Sequence, residues 1–345
     1  MIEIPAPLRL RLDGDALVHN WRQLDRMSGA AACGAAVKAN GYGLGSTEVA
    51  RRLAAAGCRD FFVATWAEAQ ALAPLGLTLS VLHGVRAEDM EAARGGFARP
   101  VLNTEAQVVR WRGAGGGACD VMVDTGMNRL GVSAEAIAGG LLDGLTIETL
   151  MSHLACADED SAMNEAQRQR FAALRGMTAA RRLSLANSAG IGLGEDYAFD
   201  LTRPGLALYG GVPRAKMGGL IRQVVYPQAQ ILQRRCVRMG EAVGYNATWI
   251  APGETEVAII NLGYADGYRR AFSGVGAARH DDVVLPELGR VSMDLVAIDV
   301  SACPHLAEGD WLEIDYALPA ASQASGVSQY ELLTGWGRRA ERLWR

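Results

Sequence analysis

Across the first two-thirds of this 345-residue chain, short apolar runs alternate with helix-forming stretches, and that alternation restricts the possible folds more than any other feature. The runs lie at 35–37, 61–64, 79–82, 100–102, 121–123, 147–150, 183–186 and 199–201. Helix starts fall between them: Thr65-Trp66-Ala67-Glu68 and Thr104-Glu105-Ala106-Gln107 both carry capping-box spacing. Ahead of the first run, residues 14–28 place Leu17, Trp21 and Leu24 on one helical face. Strands joined through helices pair in parallel, and eight of them within about 220 residues is what a (β/α)8 barrel requires. An open doubly wound sheet usually has fewer.

After Arg222 the pattern changes. Residues 257–262, 292–300 and 311–315 read as strands, with turn signals at Pro252-Gly253 and Gly309-Asp310, and long helical patterns stop. The expected fold class is therefore α/β: a (β/α)8 TIM-type barrel over residues 1–222, followed by a mostly β C-terminal domain over 223–345. The first strand is able to pair with that β domain. Gly115-Gly116-Gly117 precedes a strand instead of following one, so it reads as a plain loop and not as a phosphate-binding turn.

A net charge of −4 and a pI near 5.8 argue against a nucleic-acid or membrane-surface partner. The six cysteines are widely spread with no C-x-x-C, so neither a zinc site nor a disulfide framework is expected. No apolar run approaches membrane-spanning length, and the amino terminus lacks signal-peptide character. The cytoplasm is the expected compartment.

The chemistry concentrates where the runs end. Lys38 closes the first, just before the turn Ala39-Asn40-Gly41-Tyr42-Gly43. A cation at the mouth of a core loses hydration, which favours the neutral amine and lowers its pKa. A neutral lysine is a nucleophile able to form a Schiff base with a carbonyl substrate or with pyridoxal phosphate. An isolated lysine of this kind would ordinarily reach back to solvent, but it has company. Asp124–Arg129 follows the fifth run, His153 the sixth, Asn187-Ser188 the seventh and Arg203-Pro204-Gly205 the eighth. In a barrel that carboxyl-terminal rim carries the active site, and the loops after strands seven and eight commonly bind phosphate.

VKANGYG (37–43), DTGMNRLG (124–131), NSA (187–189), RPGLALYG (203–210), GYADG (263–267) and GRVSMD (289–294) occur in order, and this set resembles the signature of the alanine racemases. The likeness runs nearly end to end. It implies a pyridoxal 5'-phosphate enzyme that interconverts L- and D-alanine by a two-base mechanism. It also implies a homodimer with shared active sites. Carried over residue by residue, Lys38 matches the lysine that holds the cofactor and acts as one base. Tyr264 matches the second base, supplied by the partner subunit, with His153 among the groups that tune it. Arg203 matches the arginine facing the pyridine nitrogen, where a never-deprotonated guanidinium leaves that nitrogen without a proton and restrains side reactions. Tyr42, Asn187, Ser188 and the amides of Gly205 and Leu206 match the cofactor-binding set, and Arg129 with Met293 matches the clamp on the substrate carboxylate.

Two departures stand out. Where many relatives carry a carbamylated lysine seven residues before the carboxylate-binding arginine, this chain has Met122; and Arg338 stands where some place a phosphate-binding tyrosine. The same scaffold also serves broader racemases for serine or basic amino acids, and decarboxylases. Decarboxylases put an acidic residue at the pyridine nitrogen, so Arg203 counts against them. A non-catalytic pyridoxal-phosphate-binding protein is the third reading, against which the whole second domain speaks.

Overall fold

The computed structural model describes residues 4–345 and divides into two compact units, Leu17–Arg222 and a second that joins the segment up to Ala16 with Gln223–Arg345. In the first, seven parallel strands run in order from Ala35–Ala36 through Asp60–Val63, Thr78–Val81, Arg99–Leu102, Cys119–Met122 and Ile147–Met151 to Arg182–Ser184. The eighth, Leu201–Thr202, pairs in parallel with Ala32–Cys33, immediately ahead of the first. Backbone bonds close the ring: Arg203 N donates to Ala186 O at 2.8 Å on one side, and Ala36 N donates to Pro204 O at 2.8 Å on the other. The result is a (β/α)8 barrel.

Its strands are buried on both faces, as continuous apolar runs require; Asp60–Val63 has no exposed residue. The barrel interior also carries a charged layer. Asp120 is fully buried, accepts from Ser80 Oγ at 2.6 Å and lies 3.5 Å from Arg99 Nε, while Arg182 grips Asp60 through two hydrogen bonds of 2.7 and 3.0 Å. Thr65 and Glu68 form the expected capping box. The Thr104 cap is only half of one: Thr104 Oγ1 accepts from Gln107 N, but the Gln107 side chain accepts from Asn103 N and donates to His83 O.

The second unit is a closed antiparallel barrel. Its ring runs from Val225–Val237 through Thr255–Ile260, Val296–Asp299, Val283–Leu288, Ala277–His280 and Trp311–Ile314 back to the first strand. The 13-residue strand Val225–Val237 pairs with both ends of the ring, and a register shift between Ile231 and Gln233 accommodates the turn. Leu8–Leu12 lies antiparallel beside it, burying Leu8, Leu10 and Leu12 while Arg9 and Arg11 alternate outward, and Glu341–Trp344 pairs with Leu8–Leu12 in parallel. Residues 292–294, which read as the start of a strand, instead form a loop ahead of Val296–Asp299. No helix is long and apolar enough to cross a membrane, and no group of metal-ligating residues occurs among the described residues. All six cysteines are free thiols.

Candidate active site

Lys38 sits where the first barrel strand breaks, on a turn of unusual backbone. Ala39, Asn40, Gly41 and Tyr42 all have φ between 52 and 63°, a run of left-handed residues that costs roughly 1–2 kcal/mol for each one other than glycine. Something must hold it. Gly41 N donates to Val37 O and Gly43 N to Ala39 O, both at 2.8 Å, and Ser46 N donates to Asn40 Oδ1 at 3.0 Å. Glu68 supplies the remaining anchor: one carboxylate oxygen accepts from Ala39 N at 2.6 Å, and the other accepts from Ala64 N at 2.7 Å. The capping glutamate of helix Trp66–Leu72 thus ties down the residue after Lys38, a role its sequence position did not disclose.

The surroundings of Lys38 favour a neutral amine. Burial lowers its pKa first, Arg129 and Arg203 lower it further, and Glu68 works the other way. His153 feels the same cations. Burial, then Arg203, Arg129 and Lys38, push its pKa down to about 3, so the ring is neutral at physiological pH. It can influence a neighbour only through hydrogen bonding, not as a cation. Its carbonyl accepts from Gln167 Nε2 at 3.0 Å.

Arg203 lies inside the barrel mouth with neutral acceptors only. Nη2 donates to Ser152 O at 2.6 Å, Nη1 donates to Ser184 Oγ, and the guanidinium faces the Phe62 ring at 6.0 Å. Ser184 in turn donates its proton to Leu201 O, which leaves its lone pairs for Arg203. Burial brings the Arg203 pKa down to about 10, with Asp120 as the one charge that opposes the shift. It remains a cation at neutral pH. Neither Ser184 nor Ser152 was legible as a partner, because both precede the rim residues that drew attention.

Tyr42, Ser188 and Gly205 converge on a cradle. Asn187 is the N-cap of the short helix Ser188–Ile191, its Oδ1 accepting from Gly190 N at 2.9 Å, so it positions Ser188. Ser188 Oγ accepts from Gly205 N at 2.9 Å and from Ala207 N at 3.1 Å. Ala207, not Leu206, is thus the second amide directed at that hydroxyl; Leu206 lies buried between the two. The Tyr42 ring stacks on Tyr209 at 4.6 Å, and its hydroxyl packs directly against Gly205. With both amides donating to its oxygen, Ser188 keeps its own proton to give, so its hydroxyl and that of Tyr42 form a donor pair suited to a phosphate.

Arg129 is exposed on a loop shaped by Asp124, whose Oδ1 accepts from Gly126 N at 2.8 Å and Asn128 N at 3.1 Å. No hydrogen bond or ion pair engages its guanidinium among the described residues. Met122, at the end of its strand, offers no charge to orient it.

Tyr264 and Met293 belong to the second unit, on two loops that are sewn together. Tyr264 N donates to Ser292 O and Ala265 N donates to Met293 O, both at 3.0 Å. Both side chains are exposed, Tyr264 by 38% and Met293 by 54%. Arg338 is exposed, whereas its neighbour Arg339 engages Asp266 and Asp294.

The chain has counterparts among known proteins. The sequence profile of the alanine racemase N-terminal domain matches residues 12–213, and that of the C-terminal domain matches residues 224–344. An alanine racemase of Acidiphilium cryptum is 41% identical over 97% of this chain and 98% of its own length. One of Mesorhizobium japonicum, named as catabolic, is 41% identical over 99% of this chain and 94% of its own. The crystal structure of alanine racemase from Bartonella henselae with covalently bound pyridoxal phosphate superposes with a TM-score of 0.90, at 32% identity over 99% of this chain and 100% of that one. With the two profiles matching successive segments that take up most of its length, and with relatives of this identity, the chain belongs to the alanine racemases, the isomerases that interconvert L- and D-alanine.

Proposed function

We propose that this enzyme holds pyridoxal 5'-phosphate on Lys38 and racemises alanine between two bases, Lys38 and the partner subunit's Tyr264, in a homodimer with shared sites. The reading rests above all on Lys38, an amine biased toward its neutral, nucleophilic form by burial and by two arginines at the mouth of the barrel. The residues present fit the cofactor. The Ser188 and Tyr42 hydroxyls, with the amides of Gly205 and Leu206 beside them, would receive its phosphate, Lys38 would carry it covalently, and Arg203 would face its ring nitrogen.

When bound, the cofactor supplies an electron sink that makes the α-C–H bond of alanine acidic. The protein's task is then to move protons and hold geometry. Inversion requires that a proton leave one face of the α-carbon and another arrive on the opposite face, so one carrier must stand on each side. The Lys38 amine serves one face and the Tyr264 phenol the other. Arg203, a cation with its donors engaged by Ser152 and Ser184, has no reason to release a proton to the ring. Arg129 is positioned by its loop to receive the substrate carboxylate, with Met293 contributed alongside Tyr264.

Complementation tests the shared site. Lys38→Ala and Tyr264→Phe proteins, each inactive alone, are mixed under conditions that exchange subunits. Half of the dimers are then hybrids with one intact site each, so about a quarter of wild-type activity returns. No recovery despite confirmed exchange would refute sharing, and a fully active Tyr264→Phe protein would refute the second base.

A further inference from the structure

We propose that Arg339 is a positioning residue that fixes the second base, by clamping the loop bearing Tyr264 to the loop bearing Met293. The proposal rests on the reading of Tyr264 as that base. Arg339 comes from a third segment, near the carboxyl terminus, and its guanidinium spans both loops: Nε lies 2.8 Å from Asp266 Oδ1, and Nη1 donates to Asp294 Oδ1 at 2.7 Å. The first contact is ionic and not an aligned hydrogen bond.

The two arms differ in kind. Asp294 is half exposed, and an ion pair in water holds weakly. Asp266 is 1% exposed, and its other oxygen accepts from Gly263 N at 3.0 Å. A carboxylate buried there, two residues from Tyr264, needs a counter-charge, and Arg339 is the one the fold provides. The segment carrying Arg339 is itself tied in, since Gly337 N donates to Asp266 O at 2.8 Å. Gly263 packs so closely on the Met293 backbone that no side chain would fit, which brings the two loops into direct contact. Tyr264 projects from this assembly with its ring partly exposed, so within this unit the aim of its phenol depends on how firmly the backbone beneath it is held. Small displacements of a reacting group are costly to rate.

Loss of one base leaves a distinctive trace. If only one face retains its proton carrier, that carrier removes the α-proton, exchanges it with solvent deuterium, and returns a deuteron to the same face. One enantiomer of alanine then exchanges its α-hydrogen with retention while racemisation fails. The experiment follows α-deuteration and inversion of each enantiomer in D2O for the loaded Arg339→Gln, Arg339→Lys and Asp294→Asn proteins, with Tyr264→Phe as reference. It also follows amide hydrogen exchange of residues 262–267 and 291–295 in the cofactor-free proteins.

Arg339→Gln is expected to lower racemisation by about tenfold or more and to raise the ratio of retained exchange to inversion for one enantiomer. Lysine should partly restore that ratio, Asp294→Asn should shift it less, and the amides of both loops should exchange faster in Arg339→Gln. An unchanged ratio with unchanged amide exchange would overturn the proposal, as would equal loss of exchange and racemisation for both enantiomers. Failure of the underlying reading looks different: Tyr264→Phe would then racemise normally.

Discussion

The hydroxyl of Tyr42 occupies the space that a Cβ at residue 205 would need, so that neighbour alone excludes any side chain at Gly205. Gly205→Ala should push Tyr42 off its stack on Tyr209 and open the cradle. Overpacking of this kind costs roughly 1–3 kcal/mol, which corresponds to a loss of about 5- to 150-fold in pyridoxal-phosphate affinity if the strain falls on the bound state. Cofactor titration of the apoprotein by absorbance checks this, and unchanged affinity would count against the cradle.

The charges around Lys38 should be separable. Arg129→Gln removes a cation that lowers the amine pKa, so the pH at which apoprotein captures pyridoxal phosphate should move upward. Glu68→Gln removes the opposing carboxylate and should move it downward, while its amide oxygen can still accept from Ala39 N. Borohydride trapping across a pH series measures both shifts. Shifts of the same sign would mean that the turn, and not the field, sets the amine.

Glu287 should make the second unit sensitive to alkali. Buried at 5% exposure, it accepts from the Tyr268 hydroxyl at 3.0 Å, and burial raises its pKa to about 7. The folded state thus binds its proton more tightly than the unfolded chain does. This group's contribution to stability is full below the ordinary carboxylate value of 4.5 and is lost as pH rises through about 7. The loss is on the order of 3 kcal/mol. Glu287→Gln should match the wild type in thermal unfolding at pH 5 and exceed it at pH 8; equal behaviour at both would show that the carboxyl ionises freely.

The barrel was readable because parallel strands buried on both faces show as short apolar runs: seven of the eight runs share at least two residues with a strand, whereas 199–201 meets its strand only at Leu201, with Phe199 and Asp200 in a turn. The antiparallel unit was harder. The long strand 225–237 alternates Val225, Pro227 and Ala229 inward with Tyr226 and Gln228 outward, then bends through a register shift, so no single period marks it. Residues 292–294 carry strand-like composition, yet Ser292 turns back on itself by exchanging hydrogen bonds with Leu295. In the site, Lys38 and Arg203 could be picked out by charge at an apolar boundary. The residues that hold them could not. Ser184 serves Arg203 through a hydroxyl that reads as ordinary strand composition, and Glu68 serves the Lys38 turn across 29 positions, a contact no local pattern encodes. Arg339 sits beside the more conspicuous Arg338, and only folded geometry tells them apart.

The parallel pairing of Leu8–Leu12 with Glu341–Trp344 joins two strands separated by nearly the whole of both barrels in the sequence. During translation the earlier strand therefore emerges from the ribosome with neither of its neighbours, and it waits for Val225–Val237 and then for Glu341–Trp344 to follow. Its leucines are a sticky edge throughout that interval. Arg9 and Arg11, alternating with those leucines, are well placed to keep that waiting segment from finding other nascent chains.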